Sequence, residues 1–193
     1  MGATLPSYLA ATRPLLSVTK THGSDGNPHA VTAGKLLLDV ACGTGRHTRL
    51  FLERGHRIVA IDRDLSGVSD LTGHPGLETL EADLENGSPF PFAGRHFAGV
   101  VVTNFLYRPL MPDLVAAVET DGLFIYETFA SGNERFGRPK NPDFLLRSGE
   151  LLEAVRGRLR VVAYEDLVIA EPGRAAGQRI CAVGPHRAVP FLP

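Results

Sequence analysis

Residues 36–45 read Leu-Leu-Leu-Asp-Val-Ala-Cys-Gly-Thr-Gly, an apolar run that contains one aspartate and leads into a glycine-rich turn. A compact apolar run of this length is typical of a strand covered on both faces, as in a parallel sheet. Beyond Gly45, the positions of Leu50 and Phe51 fit a helix, and Gly55 is a suitable residue to end it. This segment therefore predicts the first strand, turn and helix of an α/β sheet.

Strand and helix signals continue to alternate along the chain. Four more strands are predicted, over Arg57–Asp62, Leu77–Asp83, Phe97–Thr103 and Gly122–Thr128. Helices are predicted over Leu65–Thr72, Met111–Thr120 and Asn141–Gly157, the last with asparagine as its N-cap and proline at its first position. Such alternation indicates a parallel sheet with helices on both faces.

Two strand candidates close the chain, Leu159–Ala170 and Gln178–Val183, and their short connection favours an antiparallel hairpin. The predicted fold class is thus α/β, a Rossmann-like, seven-stranded, mostly parallel sheet with helices on both faces and an antiparallel C-terminal β-hairpin. The 193 residues suffice for one domain. We expect residues 1–34, with a short helix over Leu5–Leu16 and then a loop, to belong to the same domain as residues 35–193.

Composition and charge exclude several kinds of partner. With 20 basic and 21 acidic residues the formal charge is −1, so the chain offers no basic field for duplex nucleic acid or for an anionic membrane. Cys42 and Cys181 cannot form a disulfide framework, and no apolar stretch reaches the roughly 18 residues of a membrane span. No signal peptide is visible. We expect a cytoplasmic monomer or homodimer.

Polar residues fall at or near the carboxyl ends of the five predicted parallel strands. They are Asp39, Asp62, Asp83, Asn104 and Glu127. In open α/β sheets the ligand lies outside this edge, so these side chains are candidates for binding. Asp39 is the strongest of them, because a carboxylate inside an apolar strand needs a ligand or backbone donors to offset the cost of burial.

The turn after the first strand is suited to a nucleoside cofactor. Gly43 and Gly45 allow a tight turn and a close backbone approach, and the start of the following helix offers free N–H groups. Asp62 follows 17 residues after Gly45, near the spacing at which an acidic residue binds ribose hydroxyls. NAD and S-adenosylmethionine both fit this pattern. Thr48 stands where the dinucleotide fingerprint needs a third small residue, and Asp39 suits a cationic cofactor better than a pyrophosphate.

The sequence resembles the class I S-adenosylmethionine-dependent methyltransferases in the stretches LLLDVACGTGRHTRLF, IVAIDRD, LEADLE and GLFIYETF. The resemblance extends over roughly Leu36–Val183. The segment NERFGRPKNPDFLLRSGELL is similar to a branch of small bacterial methyltransferases related to the tellurite-resistance type. This similarity implies the class of reaction and says less about the substrate.

The resemblance also implies roles for individual cofactor-binding residues. The turn residues Ala41, Gly43, Thr44 and Gly45 should wrap the methionine part, Asp39 should lie near its ammonium, Asp62 should bind the ribose, Asp83 and Leu84 should meet the adenine, and Asn104 should close the pocket floor. Ala41 replaces the first glycine of the usual G-x-G-x-G pattern. This replacement is tolerable if the φ of Ala41 is negative.

Residues after Asn104 are candidates for the substrate side. Tyr107 and Arg108 could point into the cleft, although Arg108 could equally be a structural partner of a carboxylate. Tyr107 and Glu127 are candidates for a general base, and no metal-ligand spacing is present. The loop from Ala130 to Lys140 is a candidate lid.

The stretch after the fourth strand also bears on the acceptor. It lacks the two prolines that enzymes methylating nucleobase amino groups usually carry there. The sequence therefore predicts in-line methyl transfer from S-adenosylmethionine to a small-molecule acceptor. The alternatives are a non-catalytic module that binds this cofactor and an NAD-dependent oxidoreductase.

Overall fold

One sheet organises the part of the chain that the computed structural model describes, residues 34–170 and 173–188. Its strands are β1 (Leu36–Val40), β2 (Arg57–Asp62), β3 (Leu77–Glu81), β4 (Phe97–Thr103), β5 (Val118–Phe129), β6 (Arg160–Ile169) and β7 (Ala175–Val183). Their order across the sheet is β3-β2-β1-β4-β5-β7-β6. The first five strands pair in parallel, and β7 pairs antiparallel with both β5 and β6. The predicted fold class is confirmed.

Helices and short 3₁₀ segments cover both faces of this sheet. The α-helices are α1 (Arg46–Glu53), α2 (Met111–Ala116) and α3 (Glu150–Val155), and the 3₁₀ segments are Ser66–Leu71, Arg108–Leu110, Asn133–Arg135 and Pro142–Phe144. The helix predicted over Leu5–Leu16 lies outside the described residues.

Alternate residues of the buried strands form two apolar clusters, one on each face. Leu37 and Ile58 pack with Phe51 of α1 on one face. On the other face, Leu38 and Val59 belong to the cluster that contains Leu114 of α2 and Leu151 of α3. β1 and β2 are almost continuously apolar in sequence because their side chains are buried on both faces of the sheet.

The helix predicted over Asn141–Gly157 is wrong in its middle. Asn141 does act as an N-cap, but only for the 3₁₀ segment, where its side chain accepts the Asp143 N–H at 3.0 Å. The chain then becomes extended, and the Leu146 N–H donates to the Phe129 carbonyl at 3.0 Å. α3 begins after Gly149, whose φ of +74° is left-handed. Pairing with the end of β5 has replaced the helical hydrogen bonds.

Two other predicted helices differ from the structure. The segment Leu65–Thr72 holds a 3₁₀ helix over Ser66–Leu71 rather than an α-helix. Gly67 is pressed against the turn after β1, since a Cβ there would lie 2.2 Å from the Gly43 carbonyl oxygen. The helix that begins at Met111 stops at Ala116, because Val118 already pairs with Phe97 of β4.

Candidate active site

A cavity of about 750 Å³ lies at the carboxyl ends of the five parallel strands, at the edge that the sequence predicts. Its volume is in the range of small-molecule sites. It is lined by Ala41, Cys42, Gly43, Thr44, Arg46, His47, Asp62, Arg63, Ala82, Asp83, Leu84, Glu85, Thr103, Asn104, Phe105, Leu106, Thr128, Phe129, Pro139 and Phe144. Among the residues predicted from the sequence, the lining includes Ala41, Gly43, Thr44, Asp62, Asp83, Leu84 and Asn104.

The turn between β1 and α1 is left-handed at three alternate positions. Ala41 has a φ of +53°, Gly43 of +53° and Gly45 of +72°. Ala41 therefore does not meet the condition of a negative φ under which its replacement of glycine would be tolerated without strain. The chain must reverse direction immediately after the strand, and the residue at that point takes the left-handed conformation whether or not it is glycine. For alanine this conformation costs roughly 1–2 kcal/mol.

Gly45 supports the turn without lining the cavity. A Cβ at Gly45 would lie 2.3 Å from Cγ1 of Val68, so the 3₁₀ segment after β2 fits against it only because it is glycine. Arg49 connects the turn to this 3₁₀ segment, since its guanidinium donates to the carbonyls of Thr44 at 2.6 Å and Gly67 at 3.2 Å. Sequence reasoning missed Arg49, because its partners are set by tertiary packing.

Asp62 is held at the cavity wall by two backbone donors. Its Oδ2 accepts the Gly43 N–H at 2.8 Å, and its Oδ1 accepts the Asp64 N–H at 3.1 Å. These bonds fix the carboxylate across the glycine turn. The remaining lone pairs of both oxygens can accept hydrogen bonds from hydroxyl groups in the cavity.

Asp39 lies beneath the turn, outside the cavity lining, and only 2% of it is exposed. Burial raises its pKa to about 6, and hydrogen bonds from Thr48 oppose that rise. The Thr48 hydroxyl donates to Oδ2 at 2.6 Å. The residue that breaks the dinucleotide fingerprint is thus the partner that the buried carboxylate needs.

The end of the cavity beside β3 is exposed and polar. Asp83 follows β3, and its Oδ1 accepts the Glu85 N–H at 2.8 Å. Leu84, between them, also lines the wall. With Asp62 and Arg63 after β2, this end carries most of the charged groups of the described lining.

The opposite end of the cavity is built from the ends of β4 and β5. Asn104 follows β4 with a φ of +54°, and its N–H donates to the Glu127 carbonyl at 2.9 Å. The hydroxyl of buried Tyr126 donates to the Phe105 carbonyl at 2.8 Å. These bonds hold the loop after β4 in one conformation beside the cavity.

His47 closes the wall between the two ends. It is 4% exposed, its Nδ1 lies 3.4 Å from the Thr103 hydroxyl, and its Nε2 has no hydrogen-bond partner among the described residues. Burial and, as a smaller contribution, the nearby positive charge of Arg46 lower the pKa of His47 to about 4. The imidazole is therefore neutral at physiological pH.

The residues predicted for the substrate and for a general base lie outside the described cavity lining. Arg108 donates to both carboxylate oxygens of Glu150, at 2.7 and 3.0 Å, and to the carbonyls of Asp143 and Leu145. This is the structural alternative considered for Arg108. Tyr107 packs against the apolar core, and Glu127 is 4% exposed.

Sequence reasoning missed several cavity residues. They are Arg46, Arg63, Glu85, Thr103, Thr128, Pro139 and Phe144. Thr103 and Thr128 could have been found, since each stands at the end of a predicted strand. Phe144 could not have been found from the sequence. Its placement at the cavity accompanies the pairing of Leu146 with the end of β5, which is a contact distant in sequence.

Comparison with known proteins finds a matching domain and several similar folds. Residues 37–120 match the family model described as a methyltransferase domain. TehB from Haemophilus influenzae has a TM-score of 0.62 at 16% identity, covering 78% of this chain and 58% of that chain. A TehB-like methyltransferase from Corynebacterium glutamicum has a TM-score of 0.55 at 17% identity, covering 79% of this chain and 81% of its own.

A third similar structure is 1,6-didemethyltoxoflavin-N1-methyltransferase from Burkholderia thailandensis, with bound 1,6-didemethyltoxoflavin and S-adenosylhomocysteine. Its TM-score is 0.56 at 18% identity, over 79% of this chain and 72% of that chain. No curated protein sequence gives a significant match. The matched domain and the shared fold support a class I S-adenosylmethionine-dependent methyltransferase.

Proposed function

We propose that the protein methylates a small-molecule acceptor bound in the half of the cavity beside β4 and β5. The observation that carries this proposal is the cavity itself, whose roughly 750 Å³ must hold both S-adenosylmethionine and the acceptor. A space of this size is suited to two small molecules and leaves little room for a polymer segment. The bound 1,6-didemethyltoxoflavin of the Burkholderia protein is consistent with such an acceptor.

The residues of the cavity fit the cofactor of this family. S-adenosylmethionine supplies a methyl group on a positively charged sulfur, which is already activated for transfer. Asp62 offers carboxylate lone pairs at the wall, where two ribose hydroxyls can donate to them. The exposed turn at Gly43 and Thr44 leaves backbone groups for the methionine part, with the buried carboxylate of Asp39 beneath. Asp83 and Leu84 form the wall for the adenine.

Catalysis then requires mainly alignment and the exclusion of water. The loop after β4 is fixed by the Tyr126 hydroxyl and by the bond between Asn104 and the Glu127 carbonyl. Phe129, Phe144 and Pro139 cover the acceptor half with apolar surface. These parts hold an acceptor against the methyl donor. The matched domain and the structural neighbours do not favour the two alternatives, a non-catalytic module and an NAD-dependent enzyme.

The first experiment is a calorimetric titration with S-adenosylhomocysteine, comparing Asp62→Ala with the unchanged protein. Loss of the ribose acceptor should weaken binding at least about tenfold, the effect of losing about one charge-assisted hydrogen bond. Asp62→Asn, which keeps one oxygen for the Gly43 N–H, should retain part of the affinity. Asp113→Ala, on the exposed side of α2, is the control and should bind normally. Equal affinity of Asp62→Ala and the unchanged protein would overturn the assignment of Asp62.

We also propose a cytoplasmic location and a monomeric or homodimeric state. The two cysteines are buried free thiols, which suits a reducing compartment. No helix in the described residues is long and apolar enough to cross a membrane. Light scattering at several protein concentrations measures the oligomeric state, and a mass above that of a dimer would contradict the proposal.

A further inference from the structure

The two halves of the cavity differ in charge. The half beside β2 and β3 contains Asp62, Arg63, Asp83 and Glu85, and Arg46 at the start of α1 is the fifth charged residue of the described lining. The half beside β4, β5 and the following loop contains no charged side chain among the described residues that line it. An acceptor that carried a net negative charge would lose its hydration there without gaining a partner of opposite charge, which is costly.

The same half presents aromatic surface to the cavity. Phe105 and Phe129 are partly exposed at the wall, and Phe144 is 45% exposed. Leu106 and Pro139 complete this apolar surface. Aromatic rings pack best against other flat rings, by offset stacking or by edge-to-face contact. The shape and chemistry of this half thus favour a flat, apolar molecule.

The polar groups of the acceptor half are neutral. They are the Asn104 amide and the hydroxyls of Thr103 and Thr128, and the imidazole of His47 lies where the two halves meet. Glu127 and Tyr107 lie outside the lining, so neither carboxylate nor phenolate faces the acceptor there. Because burial keeps His47 neutral with a pKa of about 4, it is too weak a base to remove a proton from an ordinary acceptor group.

This lack of a strong base restricts the nucleophile. Alkyl amines, phenols and thiols resemble the side chains of Lys, Tyr and Cys, with pKa values of about 10.4, 10 and 8.5, so each is largely protonated at neutral pH. Each would have to lose its proton before or during methylation. A pyridine-type ring nitrogen is different, because it is uncharged at neutral pH and its lone pair is free.

We propose, on the basis of the proposed function, that the acceptor is an uncharged, flat heteroaromatic compound that is methylated at a ring nitrogen. The nitrogen lone pair forms the new C–N bond as the C–S bond of the donor breaks, and the electron pair of that bond remains on sulfur. The positive charge passes from sulfur to the methylated nitrogen, and no proton is transferred. Phe129 and Phe144 hold the ring, and Asn104 orients it.

The test uses two probes of equal ring number, isoquinoline and 1-naphthoate, titrated calorimetrically into protein saturated with S-adenosylhomocysteine. Isoquinoline is neutral near neutral pH, whereas 1-naphthoate is an anion. We expect isoquinoline to bind and 1-naphthoate to bind at least about tenfold more weakly, because its carboxylate must be desolvated. When S-adenosylmethionine replaces S-adenosylhomocysteine in the mixture, mass spectrometry should detect N-methylisoquinolinium.

Phe144→Ala should weaken isoquinoline binding about fivefold or more, a typical effect of losing one stacked ring. Phe136→Ala is the matched control, since Phe136 lies in the same loop, is 37% exposed and does not line the cavity. It should leave isoquinoline binding unchanged. Equal effects of the two variants, equal or tighter binding of 1-naphthoate, or no binding of isoquinoline would overturn the inference. Failure to bind S-adenosylhomocysteine would instead overturn the proposed function.

Discussion

Two non-glycine residues of the described chain have a left-handed backbone, and both line the cavity. They are Ala41, in the turn after β1, and Asn104, after β4. Asparagine tolerates this conformation well, whereas alanine does not. The strain is therefore concentrated at Ala41, where the sequence departs from the glycine of related turns.

Replacing Ala41 with glycine should stabilise the protein by about 0.5–1 kcal/mol, because relief of the left-handed strain exceeds the added entropy of the unfolded glycine. Urea denaturation measures this change. Ala117→Gly is the control, since Ala117 has a φ of −74° and its replacement should destabilise instead. A lower stability of Ala41→Gly would show that its methyl contact outweighs the strain.

Individual residues were predictable from the sequence where a short-range pattern defined them. The spacing from the glycine turn located Asp62, and the apolar surroundings of Asp39 indicated that it needs a partner. In the sequence, that partner, Thr48, was noted only because it does not match the dinucleotide fingerprint. The φ of Ala41 could not be predicted from the residue type, because the geometry of the strand end determines it.

At the scale of the elements, the segment between β5 and α3 is determined by contacts distant in sequence. The Ser131 N–H donates to the Leu146 carbonyl, and the Gln178 amide donates to the Arg147 carbonyl at 2.7 Å. Local signals at Asn141 and Pro142 were interpreted correctly as a cap. They could not reveal that Leu146 pairs with the end of β5, so the predicted helix was too long.

Arg108 connects this segment to α3, and its removal should destabilise the fold. Arg108→Ala would leave Glu150, whose side chain is 12% exposed, without its bidentate partner, and would remove donors from the Asp143 and Leu145 carbonyls. We expect a loss of about 2–3 kcal/mol in urea denaturation.

The exposed pair of Arg156 and Glu153 provides the control for this measurement. Both side chains are more than half exposed, so Arg156→Ala should change stability by about 0.5 kcal/mol or less. If Arg108→Ala were equally mild while acceptor binding fell, the substrate role considered for Arg108 would be favoured over the structural one.

At the scale of the whole molecule, Asp39 should make stability depend on pH. Its folded pKa of about 6 lies above the ordinary value of 3.8, so the folded state binds the proton more tightly than the unfolded state. The associated stabilisation is complete below about pH 4 and is lost as the pH rises through about 6. A difference of about two units corresponds to about 3 kcal/mol.

Asp39→Asn removes this titration. The difference in stability between the variant and the unchanged protein therefore reports on Asp39, because groups such as His47, whose lowered pKa has the opposite effect on stability, are present in both. Without ligand, the stability of Asp39→Asn relative to the unchanged protein should rise by about 3 kcal/mol between about pH 4 and pH 8. A flat difference for Asp39→Asn would show that burial does not raise the pKa of Asp39.

The overall topology was predictable because it follows from alternating strand and helix signals, which are local. Only the alternation needed to be correct for a parallel sheet and the location of the site at its carboxyl edge to follow. The charge asymmetry of the cavity was not predictable, since it depends on which residues of the loop after β5 reach the strand ends.

The order of strands has a consequence for how such a protein can diversify. Because β1 lies between β2 and β4, one stretch of chain, residues 41–85, supplies one half of the cavity, and another, residues 103–144, supplies the other. On the proposed function, substitutions in the second stretch would change which acceptor is bound without altering the first. Donor recognition and acceptor choice would then lie in separate blocks of the gene, and a chimera that joins them from two relatives would inherit each property from a different parent.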